Sequence, residues 1–266
     1  MEVPRMLLAI ASEFPPSDYE DSRYTTDKVT DEDDPRLPFD SVASSLTKNL
    51  GRLPVISTES WTCGQSGSIN VYIAATRDLM GEKGNWKEFC DVLTVQVCYL
   101  FFCFYFFMTI TPIQLQESIK EMNQAYRKLI PYGTEPTKEL NTKWFESGAK
   151  DRAPKSSDFS NRDRYFHWYC GRLEDLVSLN KSTGGYAVGN RISLADVLIY
   201  NMFRERLRDE EALKTLAAYR REPFGDFETT TRILRTSYPK LSKICDLVGD
   251  HPGVKKWLSM RGVQRF

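Results

Sequence analysis

Gly189-Asn190-Arg191-Ile192-Ser193-Leu194-Ala195-Asp196-Val197 carries the clearest local signal in this 266-residue chain. Ser193 stands where a helix N-cap is expected, and Asp196 follows three residues later. A serine hydroxyl can cap the N–H of Asp196 while the Asp196 carboxylate reaches back to the N-cap, a reciprocal capping box. Ile192 ahead of the cap can staple onto Val197. The pattern predicts a helix from Leu194 to about Leu207 and gives Ser193 and Asp196 a structural role.

Working outward, helical patterns dominate everything after Gly81. Leu115, Ile119, Met122, Tyr126 and Leu129 recur at spacings of 4, 3, 4 and 3, which makes one amphipathic face. Residues 164–179 form a second such pattern. Further helices are expected at about Thr230–Arg235, Tyr238–Val248 and Gly253–Met260. The first 80 residues differ. An amphipathic helix opens the chain and is expected to end at Pro15-Pro16. Tyr19–Thr25 has a strand-like composition, Asp27–Asp34 is an acidic loop, and Ser41–Asn49 is weakly helical. Gly51–Thr58 reads as a strand and Ser60–Cys63 as its partner. Pro54 marks an edge or first position, because proline cannot donate to a central ladder. Gln65-Ser66-Gly67-Ser68 then opens a helix with Ile69, Tyr72, Ile73 and Leu79 on one face. The order is an α/β layer, lacking a first strand, followed by an all-α region.

Composition excludes several classes. Lysine plus arginine and aspartate plus glutamate each number 36, so net charge gives no reason to expect a nucleic acid or anionic membrane partner. The cysteines (Cys63, Cys90, Cys98, Cys103, Cys170, Cys245) contain no CxxC pair and only His167 and His251 could join them, so no metal site is expected. They read as reduced, buried small hydrophobes in a cytoplasmic protein. Both histidines read as packing or capping residues. Met6–Ile10 is too short for the apolar region of a signal peptide, and Glu2 cancels Arg5.

Leu53-Pro54-Val55, Gln65-Ser66 with Ile69 and Tyr72-Ile73-Ala74, and Ser193-Leu194-Ala195-Asp196-Val197 together resemble cytosolic glutathione S-transferases. Tyr238-Pro239-Lys240-Leu241 and the run His251 to Leu258 are similar to the same family, nearest its sigma and mu types. The resemblance implies a thioredoxin-like domain over residues 1–80, an all-helical domain over 81–266, and a homodimer. It also implies glutathione as co-substrate, with a small electrophile as second substrate. Arg52, Leu53, Pro54, Gln65 and Ser66 match the glutathione-binding positions. In that family the cysteinyl backbone adds to a strand edge beside a cis-proline, and the γ-glutamyl carboxylate sits at a helix N-terminus, where amide dipoles favour an anion.

The departures are specific. The family activates the thiol from a Tyr or Ser near the end of its first strand, favouring the nucleophilic thiolate. Glu2-Val3-Pro4-Arg5 already resembles the start of the first helix, so that residue would lie ahead of Met1 and the catalytic residue is unassigned. Ser41 and Ser45 occupy the offsets where sigma-type relatives carry Trp and Lys, and Lys48 is out of register. Tyr126 and Tyr132 are candidates for the electrophile pocket, and Glu117 for a contact with a partner's glutathione. A catalytically silent protein of the same fold is the alternative reading.

Val92–Gln116 contains 25 residues without a charge. That length meets the criterion for a membrane span. Pro112 interrupts it, however, and neither flank carries a Lys/Arg bias, so a single-span membrane protein is the least favoured alternative. Without Val97–Gln114 the apolar stripe Trp86, Phe89, Leu93, Leu115, Ile119 continues, although 18 residues are five whole turns and preserve phase in any case. The segment has the marks of translated intron. Valine codons begin with GT, a glutamine codon can end in AG, and Phe101–Phe107 needs at least 19 pyrimidines in 21 bases.

Overall fold

The computed structural model describes residues 2–21, 54–96, 114–131, 134–146, 164–204, 224 and 226–261. Helix α1 (Glu2–Ile10) precedes a hairpin of β1 (Val55–Ser57) and β2 (Thr62–Gly64), and α2 (Ser66–Thr76) follows. The remaining elements are helices: α3 (Trp86–Gln96), α4 (Gln114–Leu129), α5 (Lys138–Glu146), α6 (Phe166–Ser178), α7 (Leu194–Phe203), α8 (Phe227–Ser237), α9 (Pro239–Asp250) and α10 (Pro252–Met260).

Helix α7 forms the centre of the molecule. Leu194, Val197, Ile199, Tyr200, Met202 and Phe203 are all buried, so the helix is apolar around its circumference, as a helix enclosed by others must be. It packs on α1, α2, α3, α8 and α9. Each large apolar side chain taken fully out of water there contributes about 1.5–3 kcal/mol. Its capping box forms, with Asp196 Oδ2 accepting from Ser193 N at 2.9 Å and Ser193 Oγ at 2.7 Å. Asp196 Oδ1 accepts from Ala187 N at 2.7 Å, which ties the preceding loop to the same carboxylate. The helix stops at Phe203, short of Leu207, because Arg204 turns to an extended ψ of 151°.

Helix α1 lies between α2, α7 and α10, burying Val3, Met6, Leu7 and Ala9. It ends at Ile10 rather than at the prolines. Ser12 takes a left-handed φ of 66°, and Glu13 N–H reaches back to Leu8 O at 2.9 Å, satisfying a terminal carbonyl before the prolines are reached. Glu2 Oε1 accepts from Trp257 Nε1 at 2.8 Å and pairs with Arg261, joining the first described helix to the last. At the crossing, a Cβ on Gly253 would lie 1.9 Å from Ala9 O, so only glycine fits.

Aromatic rings join the other helices. Tyr126 of α4, Trp144 of α5, Phe166 of α6 and Phe224 pack with ring centroids 5.1–6.4 Å apart, mostly edge to face. Between α6 and α9, Glu174 accepts from Lys240 N and Leu241 N at 3.0 Å each, capping α9 from a neighbouring helix.

Several expectations shift. The strands span three residues each, Tyr19–Asp21 is not strand, and α2 ends at Thr76. Leu79 is buried from the loop beyond α2, its N–H bonded to Ala74 O at 2.7 Å. Trp86 is 74% exposed while Val92 is fully buried and Phe89 packs partly buried against the core, so the inward face of α3 leaves out Trp86. Cys170 and Cys245 are buried, but Cys90 is exposed. Residues 97–113 lie outside the described residues, and Gln114 is the first residue of α4. Among the described residues no helix is long and apolar enough to cross a membrane.

Candidate functional site

The hairpin register decides what the sequence-predicted site residues can do together. Val55 pairs with Gly64, Ile56 with Cys63 and Ser57 with Thr62, antiparallel. One step beyond the last pair, Pro54 stands opposite Gln65, where β2 passes directly into α2. Two motifs eleven residues apart in sequence therefore meet at one end of the hairpin. Pro54 suits this position because it begins the strand and its missing N–H removes nothing from the ladder.

Gln65 is the N-cap of α2 and holds φ 70°, ψ 119°, a conformation that a residue with a side chain rarely adopts. Such strain persists only where the surrounding fold fixes it, and it concentrates at functional sites. The Gln65 side chain makes no capping bond to α2. Gln65 and Ser66 are both exposed, and the first intrahelical bond here runs from Ile69 N to Gln65 O at 3.0 Å. The side chains of Gln65 and Ser66 thus stand beside the amide-rich end of an 11-residue helix, where the dipole favours an anion. On the flank of the site, Trp61 packs edge-on against Tyr72 with centroids 4.6 Å apart. The far end of α2 is fixed to the helical core: Leu194 N donates to Leu79 O at 3.0 Å and Arg191 donates to Asp78 O.

Arg52, Leu53, Ser41, Ser45, Lys48 and Tyr132 lie outside the described residues, as does the side chain of Glu117. Tyr126 is 1% exposed in the aromatic core, and burial pushes its hydroxyl up to about 12. It packs between Trp144 and Phe224 as core and does not line an open pocket. His251 accepts from Gly253 N at 3.2 Å through Nδ1 and caps α10, and burial lowers its pKa. His167 Nδ1 lies 2.8 Å from the Tyr238 hydroxyl. Among the described residues no group of three or more His, Cys, Asp or Glu could hold a metal ion. Backbone strain at Gln65 was not predicted from sequence; the only signal for it was a non-glycine residue joining a strand directly to a helix.

A small hairpin leading into α2, with α1 on the helical side and an all-helical region beyond, defines a thioredoxin-like unit followed by a helical one. Solved structures similar to the chain share this architecture. Na-GST-3, described as a monomeric glutathione S-transferase from the hookworm Necator americanus, is 18% identical with a TM-score of 0.57, over 100% of this chain and 93% of that one. A sigma class glutathione S-transferase of Fasciola hepatica is 15% identical with a TM-score of 0.56, over 100% and 92%. Prostaglandin synthase D of Nilaparvata lugens is 15% identical with a TM-score of 0.54, over 99% and 93%. Residues 137–222 match the family model described as "Glutathione S-transferase, C-terminal domain". The chain has the glutathione S-transferase fold, and residues 137–222 of its helical region are similar to that family's C-terminal domain.

Proposed function

We propose that the chain binds glutathione at the Pro54–Gln65–Ser66 end of the hairpin and transfers or rearranges through its thiolate. The observation that carries this reading is the register that sets Pro54 opposite a strained Gln65 at the start of α2. Arg52 and Leu53 extend the site along the strand, Pro54 and Leu53 offer the edge for the cysteinyl backbone, and Gln65 with Ser66 receives the γ-glutamyl carboxylate. In conjugation the thiolate sulfur forms a bond to the electrophilic carbon and the leaving group departs with its electron pair. Isomerisation is the second reaction of this class. The named activity of the Nilaparvata lugens neighbour, a prostaglandin synthase, supports keeping it.

The glutathione-binding unit is residues 1–80 and the helical unit 81–266. A homodimer in the cytoplasm, acting on small electrophiles in detoxification, completes the proposal. The thiol-activating Tyr or Ser is unassigned in this chain. Retention on immobilised glutathione tests binding, and loss of retention in Ser66→Ala combined with Gln65→Ala ties it to the hairpin. Turnover of a generic chlorinated aromatic, compared with the same chain extended upstream by a Tyr-bearing strand, tests the chemistry. Turnover in the extended form alone ties activation to that strand. Retention without turnover in either form selects a silent glutathione-binding protein. Sequencing the messenger across codons 97–114 tests the insertion, which fails if all transcripts retain them.

A further inference from the structure

The loop that joins α6 to α7 shares no residue with the hairpin site. It is tied down at both ends. Asn180 Nδ2 donates to Tyr186 O at 2.8 Å and to Gly189 O at 2.9 Å, Ser182 Oγ donates to Gly189 O, and Ala187 N donates to the Asp196 carboxylate at 2.7 Å. Between these ties run the backbone N–H groups of Thr183, Gly184, Gly185 and Tyr186, and among the described residues none of them has an acceptor. Gly184 is outside the left-handed region and Gly185 is inside it, at φ 81°. That change of hand turns successive N–H groups toward one side and makes a concavity for an anion.

Lys243 of α9 brings a charge to the same place. A Cβ on Gly185 would lie 2.5 Å from Lys243 Cε and 2.6 Å from its Nζ, so the ammonium rests on a backbone that only glycine leaves open. Lys243 is exposed, and among the described residues it has no carboxylate within 4.0 Å; the same holds for Lys181 at the start of the loop. The neighbouring acids are Glu174 and Asp175 of α6 and Asp246 of α9. Glu174 accepts from Lys240 N and Leu241 N at 3.0 Å each, Asp246 pairs with Arg204, and Asp175 is exposed on α6. The attraction for an anion therefore comes from the loop amides and Lys243 together, not from a broad basic surface. Several N–H donors beside one ammonium match a compact oxyanion with several acceptor oxygens, the chemistry of a phosphate group.

We propose that the amides of Thr183 to Tyr186 and the Lys243 ammonium bind a phosphate group, as the free ion or on a small ester, independently of glutathione. The probe is inorganic phosphate, titrated at constant ionic strength into the isotope-labelled full chain while the backbone amide signals of the loop are followed by NMR. Saturable shifts of the Gly184 and Gly185 signals are expected, with affinity weakened about tenfold in Lys243→Gln and further in Lys243→Glu. Lys243 is exposed, so unchanged melting temperatures show that both variants fold. Glycerol phosphate separates the two sources: shifts from both compounds put an ester's phosphate in the loop, and shifts from inorganic phosphate alone restrict the site to the free ion. Shifts that do not saturate, shifts matched by chloride, or equal affinity in the parent and Lys243→Glu overturn the proposal. Retention on immobilised glutathione is a separate readout, so failure here leaves the hairpin site untouched.

Discussion

Two buried polar side chains mark the difference between the halves of this molecule. Asp196, at the start of α7, is fully buried and its carboxylate collects three donors, from Ala187 N, Ser193 N and Ser193 Oγ. Asn70, in α2, is 7% exposed and its Oδ1 has no partner among the described residues. A buried polar atom left unsatisfied costs roughly 1–3 kcal/mol, whereas a satisfied one organises its surroundings. The start of α7 is therefore locked by its polar groups, although elsewhere the helical half also buries atoms without a partner among the described residues, Trp144 Nε1 and Asn141 Oδ1. The α/β half tolerates a frustrated amide beside a two-stranded hairpin, which is marginal by itself. The proposed glutathione site sits beside the hairpin, away from the lock at α7.

The sharpest way to break this contrast is Asp196→Ala. It strands two buried N–H groups and a hydroxyl, and should cost about 4 kcal/mol in urea unfolding; a loss under about 1 kcal/mol contradicts the lock. Gly253→Ala comes next, because its Cβ must push α10 away from Ala9 O; about 3 kcal/mol is expected, read as a lowered melting temperature. Protonation tests the same carboxylate more gently. Burial, opposed by its three donors, raises Asp196 from 3.8 to about 6. The folded state thus binds more protons than the unfolded one between those values, and this contribution to stability fades as pH rises through about 6. Relative to Asp196→Asn, the parent should gain about 2 kcal/mol on going from pH 7 to pH 4, and parallel profiles would refute it. The smallest effect is Asn70→Leu, which removes the unpartnered amide and should stabilise by about 1 kcal/mol in the same unfolding assay.

Legibility in the sequence followed the locality of the interactions. Ser193 and Asp196 are three residues apart, so capping chemistry alone relates them. Helices α6, α8, α9 and α10 lie within a few residues of their periodic patterns, because each needs only one apolar face and a stop signal. What escaped depends on tertiary placement. The inward side of α3 takes Val92 and Phe89 and leaves Trp86 exposed, and Tyr126 went to the core because Trp144 and Phe224 enclose it. At the site, residue types at Pro54, Gln65 and Ser66 were visible, but their meeting is a property of strand register.

The bond between Glu2 and Trp257 crosses 255 residues. During synthesis α1 emerges well before α10, which covers part of its apolar face. The packing of α1 cannot be completed on the ribosome before α10 has been made. A nascent chain of this topology keeps part of α1 uncovered until then, which makes termination ahead of α10 a hazard for a helix some 250 residues earlier.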